Sequence, residues 1–143
     1  MALIFKIVAA AEWRAAEAAG AFVGAAVDRE DGYIHFSTAA QAPETAAKWF
    51  AGRRDLTLVA VEADTLGQAL RWEPSRGGAL FPHLYATLPL AAVSISHWVW
   101  QCLTRSRASC NRLIEASTRS MKSQLARASP PETPKIGRWL RWL

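Results

Sequence analysis

The apolar positions cluster early in Ile4-Phe5-Lys6-Ile7-Val8, a run broken by one lysine, which predicts a first strand over 2–8. Ala10 to Ala19 is Ala-rich and predicts a helix that Gly20 can close. Gly24 to Gly32, carrying Asp28, Arg29, Glu30 and Asp31, reads as a charged turn. Strict alternation follows, with Tyr33, His35 and Ser37 on one strand face and Ile34 and Phe36 on the other. Thr38 and Gln41 fit a capping box for a helix reaching about Phe50, with a later start if Pro43 takes the first turn. Asp55 to Val61 reads as a buried strand and Leu70 to Glu73 as a short one. After the Pro74-Ser75-Arg76-Gly77-Gly78 loop, Phe81-Pro82-His83-Leu84-Tyr85 puts His83 and Tyr85 on a common face, and Leu88 to Ile95 predicts a last strand. Helices early and strands late, without regular βαβ alternation, indicate an α+β fold.

A chain of 143 residues with 51% hydrophobic content supports one core and leaves little for a second domain. Residues 1–95 hold ten acids and eight bases, a balance of −2, whereas 96–143 hold two acids and nine bases, a balance of +7. The overall +5 therefore belongs to the C-terminal segment, and the electrostatic case for a nucleic-acid substrate of the domain is weak. Any nucleic-acid contact would fall to the basic tail. No apolar run is long enough for a transmembrane span, and Lys6, Glu12, Arg14 and Glu17 interrupt any signal-peptide core, so the expected location is cytoplasmic. Cys102 and Cys110 stand without a paired Cys/His spacing, which predicts neither a disulfide framework nor a metal site.

Several segments, agreeing in order and spacing, carry a family resemblance. They are Ile4-Phe5-Lys6-Ile7-Val8, Ala11-Glu12-Trp13, Tyr33 to Thr38, Glu44-Thr45-Ala46-Ala47, and Trp72-Glu73-Pro74-Ser75-Arg76-Gly77-Gly78-Ala79-Leu80-Phe81-Pro82-His83-Leu84-Tyr85. Over roughly residues 2–95 the chain resembles the small bacterial DUF952 family, which has no established biochemical function. The resemblance implies a fold similar to that of ADP-ribosyltransferases and NAD-dependent RNA 2'-phosphotransferases: a single domain over 1–95, with a mixed or antiparallel split sheet and two main helices. It also implies NAD or a related nucleotide as cofactor or ligand, with transfer or hydrolysis at the nicotinamide ribose. The competing reading is a binding module that senses a nucleotide or small metabolite without catalysis.

Within that resemblance, His35-x-Ser37 is similar to the element that holds the nicotinamide ribose, and a strand-borne imidazole and hydroxyl suit sugar hydroxyls. The plainer alternative is that His35 bonds a nearby carbonyl while Ser37 or Thr38 caps the next helix. Arg76, beside Gly77 and Gly78, is the candidate phosphate clamp, against an exposed arginine in an ordinary turn. Glu73 is the carboxylate inside the motif-rich stretch, placed to stabilise positive charge developing at the ribose or to activate an acceptor. The chain departs from the transferase pattern in lacking a late Glu after a strand. His83 is a candidate acid or base and Tyr85 a hydrogen-bond donor, although both also suit a packed strand entry. The candidate catalytic set is thus His35, Glu73 and His83, and the cofactor-binding set is His35, Ser37, Thr38, Arg76 and Tyr85.

Trp13, Trp49 and Trp72 are expected to pack in the core or a lid, and Arg53-Arg54 to cap a helix end. Residues 96–143 fall outside the resemblance and are expected to be a poorly ordered basic extension. Helical spacing of Cys110, Ile114, Ser117, Met121 and Leu125 leaves a basic amphipathic helix as the alternative.

Overall fold

A computed structural model describes residues 2–98 and Arg119. The opening apolar run forms β1 (Leu3–Ala9), and α1 (Ala10–Ala19) follows directly, ended by Gly20 at φ 79°. A two-residue strand, β2 (Ala21–Phe22), leads to α2 (Ala26–Asp31), which is closed by Gly32 at φ 84°. The segment expected to be a charged turn is therefore a short helix. Its charged residues do not all face water, because Asp28 is buried.

The alternating stretch divides into β3 (Ile34–His35) and β4 (Ser37–Thr38), which join different sheets. The helix α3 (Ala42–Trp49) has Pro43 in its first turn, where the missing N–H costs nothing. The Thr38/Gln41 reciprocity is present in a turn just before it: Thr38 N donates to Gln41 Oε1 at 3.0 Å, and Gln41 N donates to Thr38 Oγ1 at 3.2 Å. Then come β5 (Leu56–Glu62), β6 (Leu70–Pro74), β7 (Leu80–Leu84), β8 (Leu88–Pro89) and β9 (Val93–Trp98).

Every strand pairing among the described residues is antiparallel. The first sheet runs β4-β1-β5-β9, the second is β3-β7-β6, and β2 pairs with β8. With the helices beside these sheets, the fold is α+β as expected from the sequence.

Both faces of the first sheet are covered, because successive side chains on β1 and β5 point to opposite sides. Phe5, Leu58 and Ala60 pack with Ala42 and Ala46 of α3. On the other face Ile4, Val8, Val59 and Val61 pack with Trp13 of α1 and with Ile34, Phe36 and Leu84 from the region of the second sheet. Of the tryptophans expected in the core or a lid, Trp13 packs in the core, whereas Trp49 and Trp72 are exposed, so a core place for those two is corrected. The strand β9 crosses residue 95, and its Ser96, His97 and Trp98 pair with Val59, Leu58 and Thr57. The remainder of the expected tail, including Cys102, Cys110 and the residues with helical spacing, lies outside the described residues apart from Arg119. Among the described residues no helix is long and apolar enough to cross a membrane.

Candidate functional site

The second sheet assembles the site by register. His35 on β3 lies opposite His83 on β7, and His83 lies opposite Arg71 on β6, so three polar residues form one row across the sheet. Tyr33 just before β3 and Tyr85 just after β7 extend the same face. The Tyr33 ring centroid is 4.4 Å from His83, 4.7 Å from His35 and 5.1 Å from Tyr85, and the two imidazoles are 5.4 Å apart, edge to face. The Arg71 guanidinium sits 4.5 Å over the Tyr85 ring.

Each histidine is held by a carboxylate. His83 Nδ1 is 2.8 Å from Glu73 Oε2, and the Tyr85 hydroxyl donates to that same oxygen at 2.9 Å. The hydrogen bonds from His83 and Tyr85 hold the Glu73 carboxyl below its usual range. The reciprocal effect raises the Tyr85 phenol, chiefly through its bond to Glu73. His35 Nδ1 is 2.7 Å from Asp28 Oδ1, and its Nε2 is 3.1 Å from Asp31 Oδ2. A ring that donates from both nitrogens satisfies both carboxylates.

Asp28 is the most enclosed member. Its side chain is 1% exposed and also accepts from the His35 backbone N at 3.0 Å, from Ala25 N at 2.8 Å and from Lys6 Nζ at 2.7 Å. Burial alone would raise its carboxyl, but the His35 hydrogen bond and the Lys6 charge outweigh it and hold Asp28 at about 2. Burial pushes the Lys6 ammonium below its ordinary value, against the pull of Asp28. The site thus has a floor of Lys6, Asp28 and His83, with side chains at most 7% exposed, beneath a rim of His35, Asp31, Glu73, Tyr85 and Arg71.

Of the candidates from sequence, the fold brings His35, Glu73, His83 and Tyr85 together. Ser37 and Thr38 are engaged elsewhere. Ser37 Oγ lies 3.1 Å from Thr45 Oγ1 on α3, and Thr38 serves the turn with Gln41. Their separation from His35 comes from the break at Phe36, whose backbone N donates to Pro82 O at 2.9 Å as the chain passes between sheets. Arg76 begins the turn Arg76–Gly78, but its side chain lies outside the described set. Tyr33 shares the strand face with His35 as the alternation predicts, whereas sequence reasoning missed Lys6, Asp28, Asp31 and Arg71 as site members. The one available signal was Lys6 itself, a lone charge on the Ile4 and Val8 face that demands a buried counter-charge. Among the described residues no group of three or more His, Cys, Asp or Glu could hold a metal ion.

The site residues Asp28, His35, Glu73 and His83 all fall within residues 7–96, the span that matches the family described as Protein of unknown function (DUF952). The chain belongs to the DUF952 family. Among solved structures it is similar to protein CC0527 from Caulobacter crescentus. With the CC0527 crystal structure the identity is 48% and the TM-score 0.70, over 77% of this chain and 98% of that one. With the solution NMR structure the identity is 56% and the TM-score 0.63, over 69% of this chain and 85% of that one. No curated protein matches the chain.

Proposed function

We propose that this DUF952 protein binds a nucleotide, with NAD the first candidate, and catalyses transfer or hydrolysis at the nicotinamide ribose. The fold would then be related to that of ADP-ribosyltransferases and NAD-dependent RNA 2'-phosphotransferases. The observation that carries this reading is the Glu73 carboxylate: both of its hydrogen bonds, from His83 and Tyr85, fall on Oε2, on the same sheet face as the His35 imidazole. A carboxylate fixed through one oxygen presents the other to a ligand without reorganising, which is what a developing oxocarbenium charge requires. In hydrolysis the C1'–N bond breaks with its electron pair leaving on nicotinamide. Water oxygen bonds to C1', and its proton passes to Glu73 or solvent. His35 Nε2 meets a ribose hydroxyl, the Tyr33 and Tyr85 rings offer apolar surface to the nicotinamide or base, and Arg71, with Arg76 as the candidate clamp named from sequence, meets phosphate.

The test is calorimetric titration of the full chain with NAD while free nicotinamide is assayed in the same samples, repeated on His35→Ala and Glu73→Gln. Saturable binding with nicotinamide release, the binding lost in His35→Ala and the release lost in Glu73→Gln, supports the enzyme. Binding without release in the unchanged protein favours a sensing module, and no binding removes NAD from consideration.

A further inference from the structure

We propose that Asp28 is the positioning residue of this site and that Asp31 is its exchangeable counterpart. Asp28 fixes the Nδ1 side of His35, so that Nε2 is the ring atom offered to a ligand oxygen, and Asp31 covers Nε2 until that oxygen takes its place. The inference rests on the reading that His35 meets the ligand.

The two carboxylates come from one short helix, α2, and sit three residues apart, which puts them on neighbouring positions of its surface. They clamp the same ring from opposite ends, at 2.7 Å on Nδ1 and 3.1 Å on Nε2. Their surroundings differ sharply. Asp28 is 1% exposed, and one of its oxygens, Oδ1, accepts from both the backbone N and the ring Nδ1 of His35, locking main chain and side chain through a single atom. Lys6 and Ala25 N hold the carboxylate in turn. Moving Asp28 off the ring would break its bonds to the His35 backbone and ring at a carboxylate too enclosed for water to replace them. Asp31 is 44% exposed at the last position of α2, and water can solvate it as it leaves. A ligand oxygen arriving from solvent therefore replaces Asp31 and leaves Asp28 in place. The Tyr33 ring packs tilted against the His35 ring at 4.7 Å and the His83 imidazole edge-to-face at 5.4 Å, and His83 carries Glu73 on its own Nδ1 at 2.8 Å.

The test reads the His35 ring directly, by long-range 1H–15N correlation spectra of the full chain. The unchanged protein is expected to carry a proton on His35 Nδ1, hydrogen-bonded and slow to exchange. In Asp31→Ala that signal stays and the Nε2 proton exchanges faster. In Lys6→Met/Asp28→Ala, where no lone buried charge remains, the Nδ1 bond and its slowly exchanging proton signal are lost, while the Nε2 proton facing Asp31 stays. Should the double variant not fold, the unchanged protein decides alone: a His35 protonated only at Nε2 overturns the proposal. So does a folded double variant with an unaltered ring state, which would make Asp28 a purely structural partner of Lys6. None of these readings needs NAD, so failure to bind NAD counts against the proposed function and not against the positioning role.

Discussion

Lys6 of β1 and Asp28 of α2 meet as a buried ion pair at 2.7 Å, and this contact ties the first sheet to the candidate site. Breaking such a pair by removing one partner typically costs about 3–5 kcal/mol, because the other charge stays buried and uncompensated. Lys6→Met is therefore expected to lower the urea midpoint more than Lys6→Met/Asp28→Ala does, once the separate loss of the Asp28 caps is measured in Asp28→Ala. The pair also sets a pH dependence. The Asp28 carboxyl titrates at about 2 in the folded protein, below its ordinary value, so its contribution is complete above roughly pH 4 and is lost as pH falls through about 2. A shift of that size corresponds to about 2 kcal/mol. Denaturation at pH 6, 4, 3 and 2 should show this decline in the unchanged protein and a shallower one in Asp28→Asn; equal slopes would place the acid sensitivity elsewhere.

Gly24 supports the same pair from the backbone side. It adopts φ 99°, and a Cβ there would stand 2.8 Å from Asp28 Cβ and 3.6 Å from Asp28 Oδ2. Gly52 also has positive φ, at 77°, but a Cβ there meets nothing within 4 Å. Gly52→Ala is thus expected to cost about 1 kcal/mol, the left-handed penalty alone. Gly24→Ala should cost about 2–3 kcal/mol, because strain and displacement of Asp28 add to it. Equal thermal shifts for the two variants would mean that α2 moves aside without loss.

The alternation through Tyr33 and His35 was legible because period two is a local property of a strand. Its extension to Ser37 was not, since the chain changes sheets at Phe36 and pairing with β7 or β1 is a long-range choice. Likewise Asp28, Arg29, Glu30 and Asp31 look like solvent-facing charge, and a helix of six residues is too short to show a 3.6 period. What betrays the buried Asp28 is its partner Lys6, and the two lie 22 positions apart. Glu73 and His83 stand out in the sequence as motif residues, while their contact follows from the β6–β7 register. A strand whose buried face needs volume predicts core or lid packing for Trp72, but β6 is an edge strand of its sheet and leaves it exposed.

Glu73 gives a prediction independent of any ligand. Its carboxyl lies below the usual range because His83 and, next, Tyr85 donate to Oε2. Tyr85→Phe removes one donor and should raise the Glu73 carboxyl, and His83→Ala should raise it further. Carboxyl 13C shifts followed through acid titration would measure both. An unchanged Glu73 in His83→Ala would mean that the bond is not kept in solution, and with it would go the argument for a pre-set carboxylate.

The boundary of the domain can be fixed by truncation. In β9 the pairs Val59 with Ser96, Leu58 with His97 and Thr57 with Trp98 lie beyond residue 95, so a chain ending at Ile95 loses the end of the ladder on a buried strand. Each ladder hydrogen bond is worth about 1 kcal/mol net, and unpairing a buried backbone group adds to the loss. A chain ending at Trp98 keeps every described pairing of β5. We expect the longer truncation product to unfold cooperatively with a midpoint close to the full chain's, and the shorter one to unfold several degrees lower. If ending the chain at Trp98 abolishes cooperative unfolding, residues after 98 contribute to the core, and the domain is larger than the 1–95 unit read from sequence.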